Sequence, residues 1–211
     1  MKKTTKTLKF AAILLLLAGM MISCGKENTD SINFYEVTIG SENPVINYVN
    51  NGIEFNFHLL NEQGEPSTIF NEGENFSFCF NVKNNNVNKE FEITGHLLGD
   101  LEYGGFCKVI SQDQGDIGYP FDDVFCMDVL QKYPFYGENN TYELIVPWVN
   151  NREYWGLFLC GANSLQDSEY LPQEYLSRGK YYTEIKQAID FYYKNELHRI
   201  PVSFKINFEV K

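Results

Sequence analysis

The chain has 211 residues, a formal net charge of −11 at pH 7 and an aromatic content of 16%. Such an acidic composition argues against nucleic acid and against an anionic membrane surface as partners, because both are bound through lysine and arginine. It supports solubility and suits cationic partners or divalent metal. The length allows one large domain or two small ones, and since no linker rich in proline, glycine or serine interrupts the chain, one domain is expected.

Residues 1–23 have the composition of a secretory signal. Four lysines come first, an almost unbroken apolar run follows over residues 10–22, and the small residue Ser23 precedes Cys24. The run is shorter than the roughly 20 residues that span a bilayer. The segment Met21-Ile22-Ser23-Cys24 resembles a bacterial lipobox, and that resemblance implies cleavage before Cys24 and acylation of its thiol. The alternative is an ordinary signal peptide with a chance cysteine.

Cleavage before Cys24 removes four lysines and no acidic residue, so the formal charge moves from −11 to −15. Residues 24–31 are polar and without periodicity, which predicts a flexible tether ahead of one domain over 32–211. Lys26-Glu27 resembles the start of Bacteroidota lipoproteins, and Asp30-Ser31-Ile32 resembles the short O-glycosylation motif of that phylum. These resemblances imply a palmitate-bearing outer-membrane lipoprotein, facing either the periplasm or the cell surface.

Alternation of apolar and polar residues with period two dominates the domain. The clearest runs are residues 53–59, 76–82 and 200–210, and residues 35–39 suggest an earlier strand. Residues 142–148 and 154–160 are richer in apolar residues and predict two more buried strands, whereas 45–49, 91–98 and 106–110 are weaker candidates. Turn-forming clusters such as Asn50-Asn51-Gly52 and Asn84-Asn85-Asn86 separate these runs. Many short strands with turns at this spacing predict an all-β sandwich or barrel.

Two segments fit more than one secondary structure. Residues 180–197 present an apolar face at either helical or strand spacing, but their aromatic content favours a long strand paired with the C-terminal strand. Residues 122–132 fit either a strand or one short helix.

The strand pattern also carries a family resemblance. Residues 52–82 are similar to the first strands of immunoglobulin-like domains in Bacteroidota lipoproteins of unknown function, and also to proteinase-inhibitor-type β-sandwiches. Residues 176–183 (Leu-Ser-Arg-Gly-Lys-Tyr-Tyr-Thr) resemble the approach to a late strand in such domains. The resemblance implies an immunoglobulin-like antiparallel sandwich, with residues of about 95–140 as an insertion. A shared fold does not carry a shared function.

Four cysteines remain after Cys24, and an oxidising envelope permits disulfides between them. Cys107 with Cys126 is the first pairing to consider, although four cysteines allow three connectivities. Several cysteines lie in apolar runs, so buried free thiols are the alternative. The spacings contain no CxxC pair and therefore do not predict zinc.

The sequence offers few candidates for catalytic or metal-binding residues. His58 shares the polar face of a strand with Glu54, which is half a metal site at most, and a satisfied surface histidine is the simpler interpretation. Five aspartates form the densest acidic region of the chain. They are Asp113, Asp116, Asp122, Asp123 and Asp128. This region predicts a solvated loop in preference to a calcium site. No nucleophile motif or phosphate-binding glycine loop occurs, and neither a cofactor nor a catalytic residue is predicted.

Aromatic residues crowd the C-terminal half of the chain and are the main functional hint. Exposed rings mark surfaces that recognise protein or sugar. Tyr170 and Tyr175, placed between strands, are the candidate ligand-binding residues, whereas Trp148 and Trp155 are expected in the core.

These features are compatible with three functions. The first is a non-catalytic, lipid-anchored module that binds a glycan or a protein through loops at one end of the sandwich. The second is a proteinase inhibitor with a rigid exposed loop at about residues 111–122. The third is a hydrolase with a Cys-His pair or carboxylates such as Asp122 or Asp123 near His96. The absence of any catalytic motif favours the first.

Overall fold

The computed structural model of the chain describes residues 34–94, 107–120, 132–149 and 173–211. All of them belong to one compact unit, Ile32–Lys211. Within these ranges no helix is long and apolar enough to cross a bilayer, and the only helical segment is a 3₁₀ turn at Gly137–Asn139. The strands are β1 (Phe34–Val37), β2 (Ile46–Asn50), β3 (Ile53–Leu60), β4 (Ile69–Phe70), β5 (Ser77–Asn84), β6 (Phe91–Thr94), β7 (Val109–Ser111), β8 (Gly115–Gly118), β9 (Lys132–Phe135), β10 (Thr141–Pro147), β11 (Gly179–Tyr193) and β12 (Glu196–Val210).

The strands form two sheets. The four-stranded sheet has the order β10-β5-β3-β2, and the eight-stranded sheet is built on the order β1-β12-β11-β6-β9. In the larger sheet β4 pairs with β12, while the hairpin of β7 and β8 joins β11 through β7. All pairs are antiparallel except β1 and β4, which run parallel to β12.

From β3 onward the connectivity is that of an immunoglobulin-like sandwich. In that fold strands A, B and E neighbour one another in one sheet, and strands C, F and G do so in the other. Here β3, β5 and β10 take the A–B–E positions, and β6, β11 and β12 take the C–F–G positions. The predicted all-β sandwich is therefore confirmed, with β1 and β4 as parallel additions to it.

The core lies between the sheets because each strand turns alternate residues inward. In β3 the side chains of Phe55 and Phe57 are fully buried, and in β5 the same holds for Phe80. Phe204 of β12 faces all three, with ring centroids 6.5 Å from each of theirs. Burying one such ring stabilises the fold by about 1.5–3 kcal/mol, so this aromatic cluster holds the two sheets together.

Trp148 belongs to this core, as expected. Its side chain is 1% exposed and stacks on Phe76 with ring centroids 6.1 Å apart. Its indole N–H donates a 2.9 Å hydrogen bond to the carbonyl of Glu174, so the one polar atom of this buried side chain has a partner. Trp155 lies outside the described residues.

Tyr181, at the start of β11, forms a tyrosine corner. In immunoglobulin-like domains a tyrosine near the start of strand F donates its hydroxyl to the backbone a few residues upstream. Here the Tyr181 hydroxyl donates a 2.7 Å hydrogen bond to the carbonyl of Ser177, and its ring is buried. A Cβ at Gly179 would lie 3.3 Å from that ring, so the position favours glycine. Residues 176–183 therefore approach strand F as their resemblance implies.

The segment 180–197 is strand up to Tyr193, then a turn and the start of β12, and contains no helix. β11 pairs with β12 along its whole length, from Gly179 opposite Val210 to Tyr193 opposite Glu196. The turn between them places Lys194 and Asn195 at φ 52° and 64°, as a two-residue hairpin turn with the twist of the sheet requires. The predicted long strand is confirmed because alternate residues such as Ile185 and Ile189 enter the core.

The described parts of segment 95–140 contribute to the larger sheet. Val109–Ser111 and Gly115–Gly118 form a hairpin whose first strand pairs with β11, and Lys132–Phe135 pairs with β6. Of the inhibitor loop predicted at about 111–122, residues 111–118 thus belong to a hairpin with an exposed turn, and residues 121–122 lie outside the described residues, so the inhibitor function stays a prediction. Of the ambiguous segment 122–132 the structure describes only Lys132, the first residue of β9; its other residues and the predicted strand at 154–160 lie outside the described residues.

Candidate ligand-binding cleft

Four connections meet at one end of the sandwich, which we call the loop end. They are the β2–β3 turn (51–52), the β5–β6 loop (85–90), the β9–β10 link (136–140) and the β11–β12 turn (194–195). In immunoglobulin variable domains the B–C and F–G loops of one end carry the antigen-binding residues. The β5–β6 loop and the β11–β12 turn occupy those two positions here.

A cleft of about 470 Å³ opens at the loop end. It is lined by three tyrosines, two glutamates, two asparagines, a lysine and a valine: Tyr136, Tyr192, Tyr193, Glu90, Glu92, Asn88, Asn195, Lys194 and Val87. Val87, at 96% exposure, stands almost free in solvent, and Tyr136 is 38% exposed. The lining combines aromatic rings with polar and charged groups of the kind that orient a bound ligand.

Strand register brings the aromatic and acidic side chains together. Tyr192 of β11 lies directly opposite Glu92 of β6 on the solvent side of the sheet, and Phe191 before it points into the core. The ammonium of Lys132, on β9, stands 3.6 Å from the centroid of the Tyr192 ring and 3.8 Å from the Glu92 carboxylate. At this edge of the cleft a cation is therefore held between an aromatic face and a carboxylate.

Asn84, the last residue of β5, organises the loops around the cleft. Its side chain is 3% exposed, and its amide nitrogen donates hydrogen bonds to the carbonyls of Phe135 at 2.7 Å and Lys89 at 3.1 Å. Its amide oxygen accepts the backbone N–H of Asn86 at 2.9 Å. One buried side chain thus fixes both ends of the β5–β6 loop and ties it to β9.

The β2–β3 turn also anchors the β5–β6 loop through hydrogen bonds. The Asn86 side chain donates a 2.9 Å hydrogen bond to the carbonyl of Asn51, and the Asn85 N–H donates one of 2.8 Å to the carbonyl of Gly52. Gly52 has φ of +79°, and a Cβ there would lie 2.6 Å from the Asn86 amide. Hydrogen bonds from Asn85 and Asn56 lower the pKa of Glu54 beside this turn. These contacts hold the β5–β6 loop in one conformation.

A histidine and a cysteine face each other elsewhere, on the outer face of the four-stranded sheet. His58 of β3 lies opposite Cys79 of β5 in the strand register. Burial lowers the pKa of His58, and burial, with a smaller effect from Glu143, raises the pKa of Cys79 to about 11. A nucleophilic cysteine needs a lowered pKa, so this environment keeps Cys79 as a neutral thiol.

The expectation of a satisfied surface histidine at position 58 is wrong. Within the described residues the Nδ1 atom of His58 is buried and has no hydrogen-bond partner. The alternation of β3 does place His58 on the outer face, where its side chain is partly buried.

The structure places the candidate residue Tyr175 far from the cleft. Its side chain is 52% exposed, as predicted for an aromatic residue between strands. It precedes the start of β11, whereas the cleft lies beyond the end of that 15-residue strand. Tyr175 therefore belongs to the opposite end of the sandwich. Tyr170 and Cys24 lie outside the described residues.

Cys107 has a fully buried side chain, and burial raises its pKa well above the ordinary value. It is a free thiol as far as the described residues extend. Its expected disulfide partner, Cys126, lies outside them, so the pairing stays a prediction.

The acidic region is only partly described. Asp116 of β8 forms a 2.6 Å ion pair with Lys108, and Asp113 lies in the turn before it. Across residues 34–94, 107–120, 132–149 and 173–211, no group of three or more metal-binding side chains is close enough to hold a metal ion. Asp122, Asp123, Asp128 and His96 fall outside those ranges.

Sequence reasoning missed the cleft as a site, although the sequence signals some of its parts. Tyr192 and Tyr193 stand in the aromatic C-terminal half, and the asparagine cluster at 84–86 predicts a turn. Tyr136, Glu90 and Glu92 carry no such signal. Glu90 and Glu92 flank the start of β6 and Tyr136 follows β9, so only the pairing of β6 with β9 and β11 brings them together with Tyr192 and Tyr193.

Comparisons of the chain with protein-family models, with curated proteins and with solved structures give no match.

Proposed function

We propose that the chain is a non-catalytic binding module of the bacterial cell envelope, held at the outer membrane by lipid on Cys24. The cleft at the loop end is its recognition site, and its ligand is a glycan or a segment of another protein. The single observation that supports this proposal is the cleft of about 470 Å³ formed at the end of the sandwich where immunoglobulin variable domains bind their ligands.

The composition of the cleft favours recognition. Tyrosine supplies a large, rigid contact area at low entropic cost, and asparagine supplies adaptable hydrogen bonds, as in antibody binding sites. Among the described lining residues, no nucleophile is paired with a general base, so the proposal assigns the cleft no covalent step.

The order of the loops supports the same conclusion. A binding site held in one conformation before the ligand arrives avoids part of the entropy cost of ordering. Asn84 and the contacts between the β5–β6 loop and the β2–β3 turn provide that order here.

The test is a ligand screen followed by localisation of the binding site. The purified full chain is screened on a glycan array and on a peptide array, with and without EDTA, and each hit is examined by amide hydrogen exchange. We expect slower exchange at 85–92 and 192–196 when a hit is bound. Slower exchange confined to 173–178, around Tyr175, would contradict the proposed site, and loss of binding in EDTA would show that a metal takes part.

A further inference from the structure

Lysines on the described surface repeatedly lie between a tyrosine ring and a carboxylate. Three such sets occur: Lys132 with Tyr192 and Glu92, Lys205 with Tyr182 and Glu36, and Lys108 with Tyr119 and Asp116. The face of an aromatic ring attracts a cation through its quadrupole, and a nearby carboxylate adds the charge that fixes it. Lys132 has the shortest distance between an ammonium and a ring centroid, 3.6 Å.

Among these three sets, only that of Lys132 includes residues of the cleft lining, Tyr192 and Glu92, and the lining contains further carboxylate and aromatic groups beside them. The carboxylate of Glu90 forms no ion pair with any described residue, and no described lysine stands over the ring of Tyr136. The Tyr193 ring packs against Phe91 and His198, and the one described lysine ammonium near it is that of Lys194, at a centroid distance of 5.2 Å. Although the lining also contains the ammonium of Lys194, the Glu90 carboxylate and the Tyr136 ring are therefore left for a cation supplied by a ligand.

We propose that the cleft binds the ammonium group of a lysine side chain presented by a basic protein segment. Glu90 is its counter-ion, and Lys132 competes with it for Tyr192 and Glu92. This inference rests on the proposed function and narrows its ligand to one class. The net charge of −11 agrees with it, because an acidic domain attracts a cationic partner over long range.

The competing role of Lys132 distinguishes this proposal from general charge attraction. Removing Lys132 frees the face of Tyr192 and the carboxylate of Glu92 for the incoming ammonium. Removing Lys205 changes the net charge equally but frees a tyrosine away from the cleft, on the paired strands β11 and β12. Lys205→Met is therefore a matched control for Lys132→Met.

Glu90 has a similar control. Glu65 lies in the connection that follows β3, at the opposite end of the sandwich, and is exposed like Glu90. Glu65→Gln and Glu90→Gln each remove one negative charge, but only Glu90→Gln alters the cleft.

The experiment measures the affinity of the purified full chain for a decapeptide of alternating lysine and serine. The comparison probes are the same peptide acetylated on every lysine Nζ, and cellohexaose as a neutral sugar. Hydrogen exchange locates each binding site. Because an ammonium held by one carboxylate and one ring at an exposed site contributes about 1 kcal/mol, each change at the cleft should alter affinity about fivefold.

The proposal expects the lysine peptide to slow exchange at 85–92 and 192–195, and the acetylated peptide not to. Glu90→Gln should weaken binding of the lysine peptide about fivefold and Lys132→Met should strengthen it about fivefold, while the two controls leave it unchanged.

Several results would overturn the proposal. One is equal binding of the acetylated peptide, another is equal weakening by Glu65→Gln and Glu90→Gln, and a third is no binding of the lysine peptide. Cellohexaose bound at the loop end without the peptide would reject the cationic ligand and leave the proposed function standing. Ligands that protect only the opposite end would reject both.

Discussion

Asn84→Ala gives the sharpest test of how the loop end is organised. The substitution removes two hydrogen bonds to the carbonyls of Phe135 and Lys89 and one from the N–H of Asn86. The bond to Phe135 is buried, so its loss costs about 1–3 kcal/mol, and the other two are partly buried and cost about 0.5–1 kcal/mol each. We expect the free energy of unfolding to fall by about 3 kcal/mol in total.

Urea unfolding followed by circular dichroism measures this loss, with a lower midpoint and an unchanged slope. In a chain of this size the thermal midpoint should fall by about 9 °C. Asn81→Ala is the control, because Asn81 has only a 3.4 Å contact with Glu143 on the outer face and should cost less than about 0.5 kcal/mol. If both variants were equally stable, Asn84 would not be what orders these loops.

Three further predictions concern the fold. Tyr181→Phe should lower the free energy of unfolding in urea by about 1 kcal/mol, because it removes the hydrogen bond to Ser177; an unchanged midpoint would show that the corner contributes nothing. Cys79 should react with iodoacetamide at pH 7.5 far more slowly in the folded than in the urea-unfolded chain, because burial raises its pKa to about 11, and equal rates would contradict this. His58 has a lowered pKa in the folded state, so the unfolded chain binds the proton more readily and stability should fall as the pH drops below 6.5. His58→Gln should reduce that fall, and a pH profile identical to that of the unsubstituted chain would refute the assignment.

The fold was predictable where one strand carries its own signal. Phe55 and Phe57 alternate with polar residues because β3 has one buried face. Apolar and polar residues alternate for the same reason in the C-terminal part of β12, residues 200–210. The boundaries of β12 were less predictable. Its first four residues are exposed and are strand only because they pair with β11, which the pattern of β12 alone does not reveal.

The cleft was not predictable from the sequence, because it depends on long-range register. Glu92, Tyr136 and Tyr192 are far apart along the chain, and no local pattern joins them. Tyr175 is a candidate from sequence because an aromatic residue between strands tends to be exposed, and it is exposed. Which end of the sandwich it occupies follows only from the direction of β11, at whose start it lies.

One comparison tests most directly the claim that the loop end is the recognition surface. Tyr136 and Tyr175 are both exposed tyrosines, 38% and 52%, at opposite ends of the sandwich. The affinity of Tyr136→Ser and of Tyr175→Ser is measured for the strongest ligand from the glycan and peptide arrays. We predict that Tyr136→Ser weakens binding about tenfold, as loss of an aromatic contact does, and that Tyr175→Ser leaves it unchanged. Weakening by Tyr175→Ser alone would contradict the account and move the recognition surface to the other end.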